Sequence, residues 1–254
     1  MTSPPPAPTT TSSSLTRALG GVSLAGFALL VAYGLWWSPA DRVQKDAVRI
    51  MYVHVPSAIW AYGACFLTTL ASAMWLRRRS EGWWVMGPAA AEVALLLTGI
   101  CLFTGSVWGR PTWGTWWQWD PRMTSTALLF VMLMAYLALR RIDGESGAAA
   151  ARGRRSAVVG LLLFPNVMIV HYSVDWWDSL HQKATITRLD PTIEGSMLFS
   201  LVLGIVVGGL AVAWLLVHRF RVSWLEERAE ESGLDVALAE RRAEGASPIA
   251  EAAR

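Results

Sequence analysis

Six stretches of this chain, roughly 19–37, 55–76, 86–108, 122–141, 156–172 and 196–218, are dominated by apolar side chains. Most of them approach the roughly 20 residues that a helix needs to cross about 30 Å of hydrocarbon. A backbone with no water to bond to must satisfy its own N–H and C=O groups, so such stretches are read as helices. The expected fold is therefore an all-α integral membrane protein, a six-transmembrane-helix bundle. Only 16% of the 254 residues are charged, against about 25% in soluble domains, and the deficit sits in these runs. The net charge of +3 is too small to suggest a nucleic-acid partner.

Residues 1–18 open with MTSPPPAPTTTSSS, whose composition predicts disorder. The membrane domain is expected over 19–222, followed by a charged, Ala-rich tail over 223–254 that reads as a helix with a frayed end. The first apolar run has a rival reading. Arg17, an apolar stretch and SPA before Asp41 resemble a cleavable signal peptide. The stretch exceeds a typical h-region of about 7–15 residues, so a retained helix is expected. The fifth run carries Pro165-Asn166 in its middle, which predicts a kink. Gly204 and Gly208 make a small-xxx-small face on the sixth, expected to pack within the bundle. Cys65 and Cys101 fall inside apolar runs with no CxxC spacing, and read as small buried residues.

Lys and Arg set the orientation. Eleven of them, in short clusters at Arg17, Arg77–Arg79, Arg140, Arg141, Arg152, Arg154, Arg155, Arg219 and Arg221, lie at one end of the bundle, against seven at the other. The positive-inside rule then places both termini in the cytoplasm. Segments 38–54, 109–121 and 173–195 face outward.

The outward segments carry the candidate chemistry. In WGTWWQWDPR, residues 113–122, four of ten side chains are indoles. Trp113, Trp116 or Trp117, and Asp120 fit one face of an interfacial helix, and strict alternation through Thr115, Trp117 and Trp119 fits an extended segment. Asp120-Pro121 suits the N-cap and first position of the fourth helix. An aromatic belt at headgroup level accounts for Trp36, Trp37, Trp83 and Trp84. It accounts less well for four tryptophans in seven residues, with Gly114 letting the backbone approach a ligand. Two of the four histidines share this side with the tryptophans. His54 precedes Pro56 at the lip of the second helix. His181 follows DWWDSL, where Trp177, Leu180, His181 and Ala184 would share a helix face. His171 and His218 sit at helix ends, where an anchoring role is the simpler reading. Two imidazoles, an indole wall and the cations Arg49, Arg110, Arg122 and Arg188 suit haem, which is flat and apolar, takes axial nitrogen ligands and carries two propionates. Zinc would want three or four ligands, and only Asp120, Asp175 and Asp178 could complete its set.

WGTWWQWDPRMTS resembles the WGxxWxWDxR signature (WWD motif) of haem-handling proteins of cytochrome c biogenesis. RIMYVHVPSA and SVDWWDSLHQ resemble the flanking histidine motifs of the CcmC family, and six helices in about 250 residues suit that family. The resemblance runs from about residue 20 to 220. It departs at Met123, where Leu is expected, and at His171, a third imidazole near the ligand motif. The resemblance implies a bacterial inner-membrane protein that binds haem b transiently and presents it for attachment to the periplasmic haem chaperone CcmE, working with the ATP-binding-cassette complex CcmAB. It implies His54 and His181 as axial ligands. Trp113, Gly114, Trp117, Trp119 and Asp120 fall in the signature, and Trp116 adds to its aromatic surface. Arg49 and Arg122 match positions linked to the chaperone. On this reading the protein acts by positioning and has no nucleophile of its own. The alternative is a permease subunit exporting haem or another solute, for which Glu92 and Asn166 are the intramembrane polar residues. A transmembrane electron carrier would need His pairs at mid-membrane, and there are none.

Overall fold

The computed structural model describes residues 10–145, 153–182, 193 and 195–251. Among the described residues, six helices are long and apolar enough to cross a membrane. They are α1 (Ser14–Ala32), α2 (Met51–Arg78), α3 (Glu81–Trp113), α4 (Pro121–Glu145), α5 (Arg154–Trp176) and α6 (Gly195–Glu251). A π-helical turn, Tyr33–Trp37, extends α1, and a 3-10 turn, Asp46–Ile50, leads into α2.

The first helix begins at Ser14, not near residue 19. Ser13 and Thr16 form a reciprocal capping box there, so the last residues of the expected disordered arm are helical. Residues 1–9 lie outside the described part. The sixth helix continues without a break to Glu251, a run of 57 residues, so the polar tail extends a membrane helix. The Pro165 step lies within one continuous α5, and the neighbouring Asn166 donates to the Ser125 carbonyl of α4 (3.1 Å).

Small residues decide how closely the helices approach, because lipid supplies no hydrophobic drive between them. Ala64, Cys65, Ala91 and Ala94 of α2 and α3 are buried with Leu129, Leu133 and Leu163 of α4 and α5. The Gly204–Gly208 face packs inside the bundle, against α2. A Cβ at Gly204 would stand 2.6 Å from the Tyr52 carbonyl, and one at Gly208 3.3 Å from the Trp60 indole. Trp60 Nε1 also donates to the Ile205 carbonyl across the same seam (2.8 Å). Likewise α1 docks on α6 through Gly20 against Trp214 and Gly26 against Val207, a close fit expected of a bundle member. At the Arg-rich end Trp84 is buried rather than interfacial, at 5% exposure, whereas Trp36 and Trp37 are largely exposed.

Candidate functional site

The end of the bundle opposite the Arg clusters brings three elements together: the first turns of α2, the last turns of α3, and the link from α3 into α4. α3 ends where Gly114 adopts φ +79, and its N–H bonds back to the Arg110 carbonyl (3.1 Å). Glycine is favoured there because the left-handed conformation strains other residues. Nothing lies within 4 Å of where its Cβ would be, so the left-handed φ, and not a crowding neighbour, is what calls for glycine here. The tryptophan stretch is accordingly not an interfacial helix. Trp113 closes α3, a bend follows, and residues 117–120 have no regular structure. Trp113 and Trp117 are half-buried, while Trp116 and Trp119 are exposed, at 56% and 81%.

Asp120 does cap α4. Its Oδ1 accepts from the Arg122 N–H (2.9 Å) and its carbonyl from the Thr124 N–H (2.9 Å). The same carboxylate, almost fully buried, also gathers in the segment that follows α5. Oδ2 accepts from Ser179 Oγ and the Leu180 N–H (both 2.7 Å), and Oδ1 accepts from His181 Nδ1 (3.0 Å). Residues 177–182 are therefore not helical: the Leu180 N–H that a helical turn would use goes to Asp120. The indole beside His181 is that of Trp113, edge-on with ring centroids 4.7 Å apart, and not Trp177. Ala184, Lys183 and Arg188 lie outside the described residues.

Burial pushes the His181 imidazole below its ordinary value. The Asp120 carboxylate opposes that shift and the Arg122 charge adds to it. For Asp120, burial works to raise the carboxyl. The Ser179 hydroxyl, the Leu180 N–H, His181 and the Arg122 N–H outweigh it and hold the carboxyl low. The group is thus a carboxylate that accepts from Nδ1–H of a neutral imidazole.

His54 stands on the first turn of α2 and faces α3. Cys101, Thr104, Gly105 and Trp108 meet its ring from successive turns of one α3 face. Nδ1 lies 3.0 Å from Thr104 Oγ1. That hydroxyl spends its single proton on the Ile100 carbonyl (2.7 Å), so toward His54 it accepts, and the network assigns the proton to Nδ1. Gly105 leaves room for the ring, since a Cβ there would stand 3.0 Å from Cε1. Trp108 meets the imidazole edge-on and is itself fixed by Gln44 Oε1 (2.7 Å). Sequence reasoning did not find Thr104, Gly105 or Trp108. Their i, i+1, i+4 spacing on one helix face was visible, but nothing local tied that face to His54.

Both histidines thus have Nδ1–H engaged. Among the described residues no hydrogen bond reaches His181 Nε2, and His54 Nε2 meets only the Cys101 sulfur, 3.9 Å away. That is the state in which imidazole ligates a metal. The charge of Arg122 acts on the His181 ring. Arg122 donates to the His171 carbonyl (2.9 Å), and its buried Nε has no partner. Among the described residues no group of three or more His, Cys, Asp or Glu is arranged to hold a bare ion. The donor set suits a metal that brings its own equatorial ligands.

The remaining candidates fall outside this cluster. The His171 ring packs edge-on against Tyr62 and Tyr172, so the third imidazole has its own setting. His218 packs on Trp214. Arg49 is mostly buried and donates to Asp46 and to the Gly34 carbonyl, tying the turn before α2 to the end of α1. Arg110 donates to the Gly114 carbonyl. An apolar groove between α3 and α4, lined by Leu96, Gly99, Phe103 and Phe130, opens on the α3 face opposite the one that meets His54.

Comparison with known proteins bears on this geometry. A family model described as CcmC, heme exporter protein C, matches residues 2–234. A heme exporter protein C from Haemophilus influenzae is 35% identical over 204 residues, covering 79% of this chain and 80% of its own. One from Bradyrhizobium diazoefficiens is 39% identical over 172 residues, covering 65% and 63%. One from Escherichia coli K12 is 34% identical over 182 residues, covering 69% and 71%. The chain belongs to the CcmC family.

Proposed function

We propose that this protein handles haem in cytochrome c maturation: it binds haem b at the periplasmic face of the bacterial inner membrane and presents it for covalent attachment to the chaperone CcmE. The observation that carries the reading is the matched state of the two imidazoles. Each has Nδ1–H bonded to the protein and Nε2 left for a metal. The family's haem exporter name fits this donor set. The Arg clusters at the opposite end support an outward-facing site with both termini in the cytoplasm.

In this mechanism His54 and His181 would hold the iron. The half-buried Trp113 and Trp117 and the exposed Trp116 and Trp119 would supply the apolar surface for the macrocycle. Arg122, with its Nε unpartnered, offers a propionate counter-charge and a contact for the chaperone. Arg49 acts on the chaperone surface indirectly, by holding the turn that carries the exposed Asp46. The reacting nucleophile comes from the chaperone, and this protein contributes by fixing haem geometry, which can remove several kcal/mol of a bimolecular barrier. CcmAB then acts on the loaded complex. A permease reading draws less support. Glu92, a carboxylate well inside α3, is paired with Arg219 of α6 (2.8 Å), and Asn166 bonds to α4.

Absorption spectra of the purified protein, supplied with haem and compared with His54→Ala, His181→Ala and His171→Ala, test the assignment. A low-spin bis-imidazole spectrum that is disturbed by the first two substitutions and kept by the third is expected. Unchanged haem content and spectrum in both His54→Ala and His181→Ala would overturn it.

A further inference from the structure

The two imidazoles differ in what stands behind them. Behind His181 is a carboxylate, Asp120, held by three further donors: the Arg122 N–H, Ser179 Oγ and the Leu180 N–H. Behind His54 is a hydroxyl, Thr104, whose own proton is committed to the Ile100 carbonyl. A carboxylate draws the Nδ1–H more strongly than a neutral oxygen does, so Nε2 of the same ring becomes the better electron donor. The anchoring differs in the same sense. Three bonds to one buried carboxylate fix Ser179, Leu180 and His181 together, whereas the His54 ring has one hydrogen bond to a hydroxyl, long contacts of 3.9 Å from its nitrogens to the Cys101 sulfur, and the edge of Trp108.

We infer that the two axial ligands are unequal: His181 is the anchoring ligand, and His54 is the one that yields when a competing ligand arrives. This rests on the reading of the site as a bis-histidine haem site. The exchange is a plain ligand substitution. His54 Nε2 leaves with its lone pair, the entering atom donates one, and no proton or electron changes hands. The position that opens lies on the α2–α3 side, beside Thr104 and Cys101, while haem stays attached through His181. Hand-over then begins at His54. Asp120 is a positioning residue, acting through His181.

Carbon monoxide added to the reduced, haem-loaded full-length protein tests this, because it replaces one axial ligand and its vibrations report the other. Resonance Raman Fe–C and C–O stretches are recorded for the wild type, His54→Ala and His181→Ala. The wild-type adduct is expected to match that of His54→Ala, in which His181 is the remaining ligand, and to differ from that of His181→Ala. Asp120→Asn, which can still cap α4, is expected to move the Fe–C and C–O pair off the inverse correlation on which the wild type lies, as a change in the ligand opposite carbon monoxide does, whereas Thr104→Val, beside the bound carbon monoxide, is expected to move the pair only along it. A wild-type adduct matching His181→Ala, or a departure from that correlation with Thr104→Val and none with Asp120→Asn, would overturn the inference while leaving the bis-histidine site intact. Absence of a bis-imidazole spectrum before carbon monoxide is added would instead sink the site reading, and this inference with it.

Discussion

Both ends of the bundle combine indoles, a guanidinium and a carboxylate, yet they leave different atoms over. At the Arg-rich end the Arg140 guanidinium lies 3.1 Å from the Trp84 ring centroid, and Trp84 Nε1 donates to Glu227 (3.1 Å). Trp75 packs against Trp84, and Arg228 binds Glu81 (3.2 Å). Among the described residues, the buried atoms left without a hydrogen-bond partner there include the indole nitrogens of Trp75 and Trp224, a guanidinium nitrogen of Arg221, and one carboxylate oxygen, Glu81 Oε1. At the other end Arg122 Nε is left without a partner, and two imidazoles bonded through Nδ1 stand beside the exposed indoles of Trp116 and Trp119. Similar residue types are packed away at one end and left facing outward at the other. Indole content alone does not separate a belt from a site; the paired imidazoles and the exposure of the indoles do.

The largest expected separation comes from Trp84→Ala. Removing a buried indole that carries a stacked guanidinium should lower stability by about 3–5 kcal/mol, read as a fall in the melting temperature in detergent. The haem spectrum of the surviving folded protein should be unchanged. A spectrum disturbed as strongly as in His54→Ala would show the two ends to be coupled and break the contrast.

Gly105→Ala probes the open end from within. Its Cβ would press on His54 Cε1 at 3.0 Å, and the ring must shift by a few tenths of an ångström. Haem affinity is expected to fall about tenfold, equivalent to about 1.4 kcal/mol, with the melting temperature nearly that of the wild type. Equal haem affinity in the two proteins would mean that the His54 ring position is not critical.

A smaller effect on the fold is expected at Trp119, which is 81% exposed. Trp119→Ala should change stability by no more than about 0.5 kcal/mol, yet slow haem capture from detergent if the indole covers the macrocycle. An unchanged capture rate would return this residue to the interfacial belt.

The six apolar runs made six helices legible, because the need to satisfy backbone groups in hydrocarbon leaves little choice. Helix ends were less legible, since caps and interfacial aromatics carry helices past the apolar boundary. α3 runs on to Trp113 through Pro111 for that reason. At the site, the Asp120 cap was visible in the Asp-Pro pair. Its second task was not, because the partner imidazole lies 61 residues away. The helix expected around His181 failed on the same contact. A four-residue match to helical spacing could not foresee that a distant carboxylate would take the Leu180 N–H. Long-range pairing chose the conformation there, and local pattern could not.

The two ends should also part company in acid. The His181 imidazole is held below its ordinary value of 6.5, with burial the largest cause. The folded state therefore favours the neutral ring, while the unfolded chain takes up a proton near 6.5. The resulting stability is present above that value and is lost as pH falls from 6.5 toward the folded value. Asp120 is held below its ordinary 3.8, so its contribution is present above 3.8 and is lost only at still lower pH. The Trp84–Arg140–Glu227 cluster contains no imidazole. Between pH 7 and 5 the haem-free protein should lose stability with a slope that flattens in His181→Gln and persists in Trp84→Phe. Haem binding should weaken over the same range, because the proton that enters takes the Nε2 lone pair meant for iron. An identical slope in His181→Gln and wild type would place the titrating group elsewhere and remove the electrostatic part of the contrast.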